Sequence, residues 1–210
     1  MNLSPEIIKK KLLQPLPGLS SHLKMAPASR AEEIARFNGN FQNARKSGVM
    51  ILLFHENERL KAVLIRRSFY VGIHAGQIAF PGGRYEESDV DIKHTALREI
   101  HEEIGIPAEK IEVIGRLSDI YVPPSNFLIS VFVGYLNEKP RYKADEREVA
   151  EIIEIDMEEF FREDVIQEKE FVVPSAKTSV NALYYKVGNI DLWGASAMVM
   201  TELLDMLNET

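Results

Sequence analysis

Between Asp89 and Ile104 the apolar residues Ile92, Ala96, Leu97, Ile100 and Ile104 recur three and four positions apart, the spacing of one face of an α-helix at about 100° per residue. Gly105 stands where a left-handed residue would end that helix. Upstream the period changes. "SGVMILLF" and "LKAVLIRR" are β-rich runs around the polar "HENER" and predict a hairpin. Downstream, "IEVIGRLSDIYV" and "FLISVFVGYL" flank Pro123-Pro124-Ser125-Asn126, and "EVAEIIEID" follows, all strand-like. "MEEFF" reads as a short helix, "KEFVVP" and "ALYYKV" as another strand pair, and "SAMVMTELLDMLNE" as a closing amphipathic helix. At the other end Ser4-Pro5-Glu6 starts a helix that should stop near Pro15, and "SRAEEIARF" from Ser29 suggests a second.

Strands on both sides of one central helix, with helices at both ends, predict a mixed sheet sandwiched between helices, an α/β chain of the α+β type. A doubly wound sheet is disfavoured, because strands and helices do not alternate regularly and GxGxxG and GxxxxGK[ST] loops are missing. A length of 210 residues at 45% hydrophobic content fits one domain with elaborations. We expect an N-terminal helical extension over 1–40, packed on a domain spanning 41–210.

Charge narrows the chemistry. A net charge of −7 argues against broad nucleic-acid binding, although local basic clusters remain available for phosphate. There is no cysteine, so disulfides, thiolate metal sites and thiol nucleophiles drop out together, and any metal must be held by oxygen or histidine. The N-terminus lacks the apolar core of a secretory signal, and no apolar run reaches the roughly 18 residues that span a bilayer. The expectation is a cytoplasmic protein with no membrane partner.

On the predicted helix Glu99, Glu102 and Glu103 fall at i, i+3 and i+4, where side chains become neighbours. Like charges so placed cost an isolated helix about 0.2 to 0.5 kcal/mol per pair, and the helix dipole disfavours anions near the C-terminal end. A hard divalent cation relieves both penalties; an ordinary solvated face is the competing reading. Arg98, four residues before Glu102, is placed to orient part of the cluster. The preceding "FPGGR" is either a tight turn or a loop whose amides approach an anion.

Taken together these residues resemble the Nudix hydrolase family. Arg98-Glu99-Ile100-His101-Glu102-Glu103-Ile104-Gly105-Ile106 matches the second half of its signature, while Gly83 and Asp89 match the first half only with one extra residue before Arg98. That spacing is similar to the branch that cleaves coenzyme A. Arg67, Ser68, Gly76 and Phe80 to Gly83 fit the upstream pattern of that branch, whereas Ile65 replaces its threonine and Gly72 its second arginine. "DLWGASAMVMTELL" also looks like the end of this branch.

The resemblance implies attack of water on a diphosphate, supported by Mg²⁺ or Mn²⁺, with a small nucleotide-diphosphate molecule as substrate. For coenzyme A the products are 3′,5′-ADP and 4′-phosphopantetheine. Glu99 and Glu103 are the first choices as metal ligands; Glu102 is a third ligand or the water-positioning base, and Arg98 orients carboxylates. Glu148, ahead of a predicted strand in "DEREVAE", is a candidate base or ligand from outside the helix, or simply exposed. Substrate contacts fall to Arg66, Arg67, Ser68 and His74, with Gly76, Gln77, Phe80, Gly82 and Gly83 from the loop motif. Arg84 is a further candidate for the phosphates, His101 a solvated residue. Tyr184, Tyr185 and Trp193 are read as packing or dimer-surface residues before adenine-stacking ones, and the chain as a monomer or homodimer. Two other readings stay open: a Nudix enzyme for ADP-ribose, NADH or a dinucleoside polyphosphate, and a non-catalytic Nudix-fold binding module.

Overall fold

The computed structural model describes residues 3–28, 31, 43–68, 75–173 and 178–208, without the side chains at 124 and 173. The helix expected from Ser29, Gly72 and His74 lie outside the described residues, apart from a single helical position at Ala31.

The hairpin forms as expected. Strands β1 (Arg45–Glu56) and β2 (Arg59–Arg67) pair antiparallel, and Asn57 and Glu58 turn the chain with φ of 49° and 65°. The remaining strands are β3 (Ile78–Ala79), β4 (Gly82–Arg84), β5 (Glu112–Arg116), β6 (Ile120–Val122), β7 (Phe127–Leu136), β8 (Val149–Asp156), β9 (Ile166–Val173), β10 (Thr178–Val187) and β11 (Ile190–Trp193). An 8-stranded sheet runs β3-β2-β1-β7-β5, with β4 on β1, β6 on β7 and β8 on β2. It is mixed, because β1 and β7 run parallel from Arg45↔Phe127 to Phe54↔Leu136. Strands β9 to β11 form a separate 3-stranded sheet.

Among the described residues the longer helices are α1 (Pro5–Leu12), α2 (Leu19–Met25), α3 (Ile92–Ile104) and α4 (Gly194–Asn208), none long and apolar enough to cross a membrane. They cover both faces of the large sheet. Met50, Leu52, Phe54, Val63 and Ile65 meet Ala96, Ile100 and Ile104 of α3 on one side. Ile51, Leu53 and Leu64 face Ile8, Leu12 and Leu203 from α1 and α4 on the other. Burial on both faces explains why "VMILLF" is apolar throughout rather than alternating. Glu202 of α4, fully buried, ties this second layer together by accepting from the amides of Gly18 and Ser118 and pairing with His22 Nε2 at 2.8 Å. Burial opposes its ionisation, but His22 and Ser118 together hold its carboxyl below the usual range.

Two expectations need correction. The central helix begins at Ile92, not Asp89: Asp91 caps it by accepting from His94 N, and Asp89 belongs to the preceding turn, where its carboxylate accepts from Glu86 N. The run "IEVIGRLSDIYV" breaks into β5 and β6, because Leu117 drops into the core and a register shift at Gly115 bends the strand. "MEEFF" forms the expected short helix, of the 3₁₀ kind. Gly105 does end α3 in the left-handed region, at φ 74°.

Gly48 of β1 sets how closely α3 approaches the sheet. A Cβ there would lie 2.5 Å from the carbonyl oxygen of Ile92 and 3.1 Å from Ala96 N, so Gly48→Ala must push the helix outward. The expected cost in urea denaturation is about 1 to 3 kcal/mol. An unchanged midpoint would show that α3 gives way without strain.

Candidate metal centre

The loop between β3 and β4 positions the carboxylates of α3. Pro81 holds it to β1 by accepting from Met50 N at 3.0 Å. Gly82 has φ 147°, and a Cβ on it would stand 2.6 Å from Val49 Cα and still closer to the carbonyl oxygen of Gly48. Only glycine fits. This exposes the Gly82 amide, which donates to Glu103 Oε2 at 2.9 Å. A Cβ on Gly83 would lie 2.5 Å from Glu99 Oε2. The loop amide therefore meets a carboxyl group, an internal one supplied by α3.

Arg98 fixes the helix from the other end. Its Nε and Nη2 donate to the two oxygens of Asp89 at 2.9 and 3.1 Å, and Nη2 also reaches the Arg84 carbonyl at 3.0 Å. Nη1 donates to Glu99 Oε1 at 3.0 Å and to Glu102 Oε2 at 2.7 Å. Asp89 accepts from Thr95 Oγ1 as well. The Arg98 guanidinium foremost, and these lesser donors, hold the Asp89 carboxyl well below the usual range against the effect of burial. Sequence reasoning aligned Asp89 with a motif position without giving it a task. Its task is to anchor Arg98; the signal available in the sequence was an acidic residue at that motif position, nine residues ahead of the arginine that opens the glutamate cluster.

Glu99, Glu103 and Glu148 each offer an oxygen within 4.8 Å of the others. Glu148 arrives from the residue before β8, on a segment held by Ser68: the Ser68 amide donates to the Glu148 carbonyl at 2.8 Å and its hydroxyl to the Glu146 carbonyl at 3.1 Å. Glu102 is not in this group. Its side chain is 54% exposed and engaged by Arg98. Glu103 is 1% exposed, and burial pushes its carboxyl up to about 8 against the pull of the Gly82 amide and Arg67, with Glu99 and Glu148 adding repulsion. Burial likewise raises Glu99, opposed by Arg98. Three oxygens within 4.8 Å of one another, one of them on a buried side chain, could hold a hard divalent cation.

The other sequence-selected residues take varied places. Arg67 Nη1 approaches Glu103 at 3.5 Å, and Arg66 Nε donates to Glu151 at 2.9 Å. Gly76, at φ 70°, donates to the Arg67 carbonyl, while Gln77 accepts from Arg67 N. Phe80 is buried in the core, so it supports the loop from beneath. His101 is exposed. Tyr184 and Tyr185 are buried, and Trp193 stacks on Phe171 at 4.3 Å, so these rings pack against protein.

The NUDIX domain family matches residues 44–178, a stretch that contains the loop, α3 and Glu148. The chain belongs to the Nudix family. An uncharacterized Nudix hydrolase, NudL, from Yersinia enterocolitica is 31% identical over 187 residues, covering 85% of this chain and 93% of that protein. The NudL of Citrobacter koseri is 38% identical over 129 residues, 60% of this chain. For the first curated relatives the match spans 60 to 64% of their length. Among solved structures, a MutT/nudix family protein from Enterococcus faecalis covers 99% of this chain at 16% identity with a TM-score of 0.55. That likeness shows the shared fold, in which this Nudix chain places its glutamates on α3 behind a glycine pair.

Proposed function

We propose that this chain hydrolyses the diphosphate bond of coenzyme A and its derivatives, with Mg²⁺ or Mn²⁺, giving 3′,5′-ADP and 4′-phosphopantetheine. The observation that carries the hydrolytic part is the group Glu99, Glu103 and Glu148, whose oxygens converge within 4.8 Å. These three carboxylates are the residues that would hold the ion. When bound, such an ion lowers the pKa of a water and neutralises charge on phosphoryl oxygens. Arg98 keeps Glu99 turned toward the group, and the Gly82 amide does the same for Glu103. Glu102 lies outside this group, sharing Arg98 Nη1 with Glu99, and is the exposed carboxylate left to orient the attacking water.

The coenzyme A assignment rests on the pattern through Arg67, Ser68, Gly76 and Phe80 to Gly83, and on Asp89, which stands nine residues ahead of Arg98 and binds it. A second reading, hydrolysis of ADP-ribose or another nucleoside diphosphate derivative, is favoured by Gly72, where the coenzyme A pattern carries an arginine. The same proposal takes 1–40 as an extension on the domain and places the enzyme in the cytoplasm as a monomer or homodimer. Purified protein with Mn²⁺ is to be assayed against coenzyme A, acyl-coenzyme A, ADP-ribose, NADH and a diadenosine polyphosphate. The highest kcat/KM is expected for a coenzyme A species; preference for ADP-ribose moves the assignment to the second reading, and turnover of none overturns both.

A further inference from the structure

Glu148, the member of the carboxylate group that stands outside α3, is held from two directions. Ser68 fixes its carbonyl from the end of β2; the second hold comes from α3 itself. Between β7 and β8 the Tyr142 ring packs into the core on the α3 side, and the Lys143 amide donates to the Ile104 carbonyl at 2.9 Å. The approach is close, since a Cβ on Gly105 would lie 2.7 Å from Lys143 Cβ and 2.8 Å from its carbonyl oxygen. Two residues on, the Asp145 amide donates to the carbonyl of Glu103 itself at 3.0 Å. The Asp145 carbonyl in turn accepts from Glu148 N at 3.0 Å and from Val149 N at 2.8 Å. One residue thus joins two members of the carboxylate group through its backbone, while satisfying a carbonyl that the end of α3 leaves without a helical partner.

The Asp145 side chain shapes the turn between these anchors. Its Oδ1 accepts from Arg147 N, two residues on, at 3.0 Å, the pattern of an Asx turn, and from Arg147 Nε at 2.9 Å. The Arg147 side chain is 87% exposed, so the ion pair faces water and adds little; the bond to the amide is what holds the turn. That turn matters because Glu148 is exposed. A carboxylate on a loose segment must be ordered when an ion arrives, and the lost entropy opposes binding. A ligand already oriented by hydrogen bonds around it avoids most of that cost.

We propose that Asp145 is a positioning residue for Glu148: bridging the Glu103 carbonyl and the Glu148 amide, it sets the third carboxylate against the two of α3 before a divalent cation binds. The inference rests on the metal reading above and is tested apart from turnover. Mn²⁺ is titrated calorimetrically, without substrate, into wild type, Asp145→Ala, Asp145→Asn, Glu148→Gln and the double variant of Asp145→Ala with Glu148→Gln. Asp145→Ala should bind Mn²⁺ about tenfold more weakly, the order of loss when a group orienting a metal ligand is removed. Asp145→Asn should stay close to wild type, because asparagine keeps the acceptor for Arg147 N and gives up only the charge. In the Glu148→Gln background Asp145→Ala should change Mn²⁺ affinity by less than about twofold, a non-additivity that a merely structural role would not produce. Unchanged Mn²⁺ affinity in Asp145→Ala overturns the assignment. So does an Asp145→Asn protein as weak as Asp145→Ala, which would make the effect one of charge, or an equal loss with and without the Glu148 carboxylate. Mn²⁺ binding that is weakened by Glu148→Gln and untouched by Asp145→Ala sinks this inference and leaves the metal centre standing; a wild type that binds no Mn²⁺ removes the centre and this inference with it.

Discussion

Glu103→Gln is expected to remove hydrolysis while making the metal-free protein more stable at pH 8. Loss of one carboxylate from the Glu99, Glu103 and Glu148 group removes several kcal/mol of charge stabilisation, roughly a hundredfold or more in rate. The stability effect has the opposite sign for a definite reason. The Glu103 carboxyl titrates at about 8 in the fold against an ordinary 4.5, so between those values the folded state binds a proton that the unfolded chain does not. Its contribution is fully present below pH 4.5 and is lost as pH rises through 8. Glutamine carries no charge to bury and can still accept from the Gly82 amide. Differential scanning fluorimetry with EDTA should show the wild-type midpoint falling from pH 6 to pH 8.5, with the variant flat and higher at the alkaline end. Each kcal/mol corresponds to about 2 to 4 °C for a chain of this size. Added Mn²⁺ should raise the wild-type midpoint and leave the variant unmoved. A variant that melts below wild type in EDTA at pH 8 would show that Glu103 is anchored as a charge without an ion.

Arg98→Ala should give the largest loss of stability. Asp89, with a side chain 5% exposed, depends on Arg98 for two of its hydrogen bonds. Removing one partner of a buried ion pair leaves an uncompensated charge and costs about 3 to 5 kcal/mol. The pH dependence again follows from sign. Asp89 is held well below its ordinary 3.8, so its contribution is complete above that value and disappears as pH falls toward the depressed titration. In Arg98→Ala that contribution is gone, and the variant should lose less stability than wild type on acidification below pH 3.8. Adding Asp89→Asn should recover part of the loss, since no unpaired charge remains. Urea denaturation of the two single variants and the double variant measures this coupling. Additive costs would mean that the pair contributes nothing beyond its members.

The sequence carried the large features of the fold because they are local. A turn at Asn57–Glu58, an apolar run long enough for a doubly covered strand, and a 3.6-residue stripe from Ile92 to Ile104 can each be read without tertiary contacts. The start of α3 could not, since Asp89 and Asp91 are equally good caps by residue type; the choice falls to Arg98 and Thr95, which draw Asp89 out of the helix. The pairing of β9 with β10 was legible as the strand pair "KEFVVP" and "ALYYKV", whereas β11 was hidden, because pairing of Tyr185 with Leu192 depends on how the chain returns. At the site, Glu99 and Glu103 follow from helical spacing. Glu148 converges with them only because β8 pairs with β2 and Ser68 holds its segment. Glu102, one residue from Glu103 on the sequence, turns outward to Arg98 instead.

The central claim is that a divalent ion is held by two carboxylates of α3 and one from the residue preceding β8. Anomalous diffraction at the manganese edge, from crystals grown with Mn²⁺ at a concentration that supports hydrolysis, tests it most directly. A peak bounded by the carboxylates of Glu99, Glu103 and Glu148 is predicted. A peak that lacks Glu103, or one ligated by Glu102 with Glu148 turned away, would contradict the account.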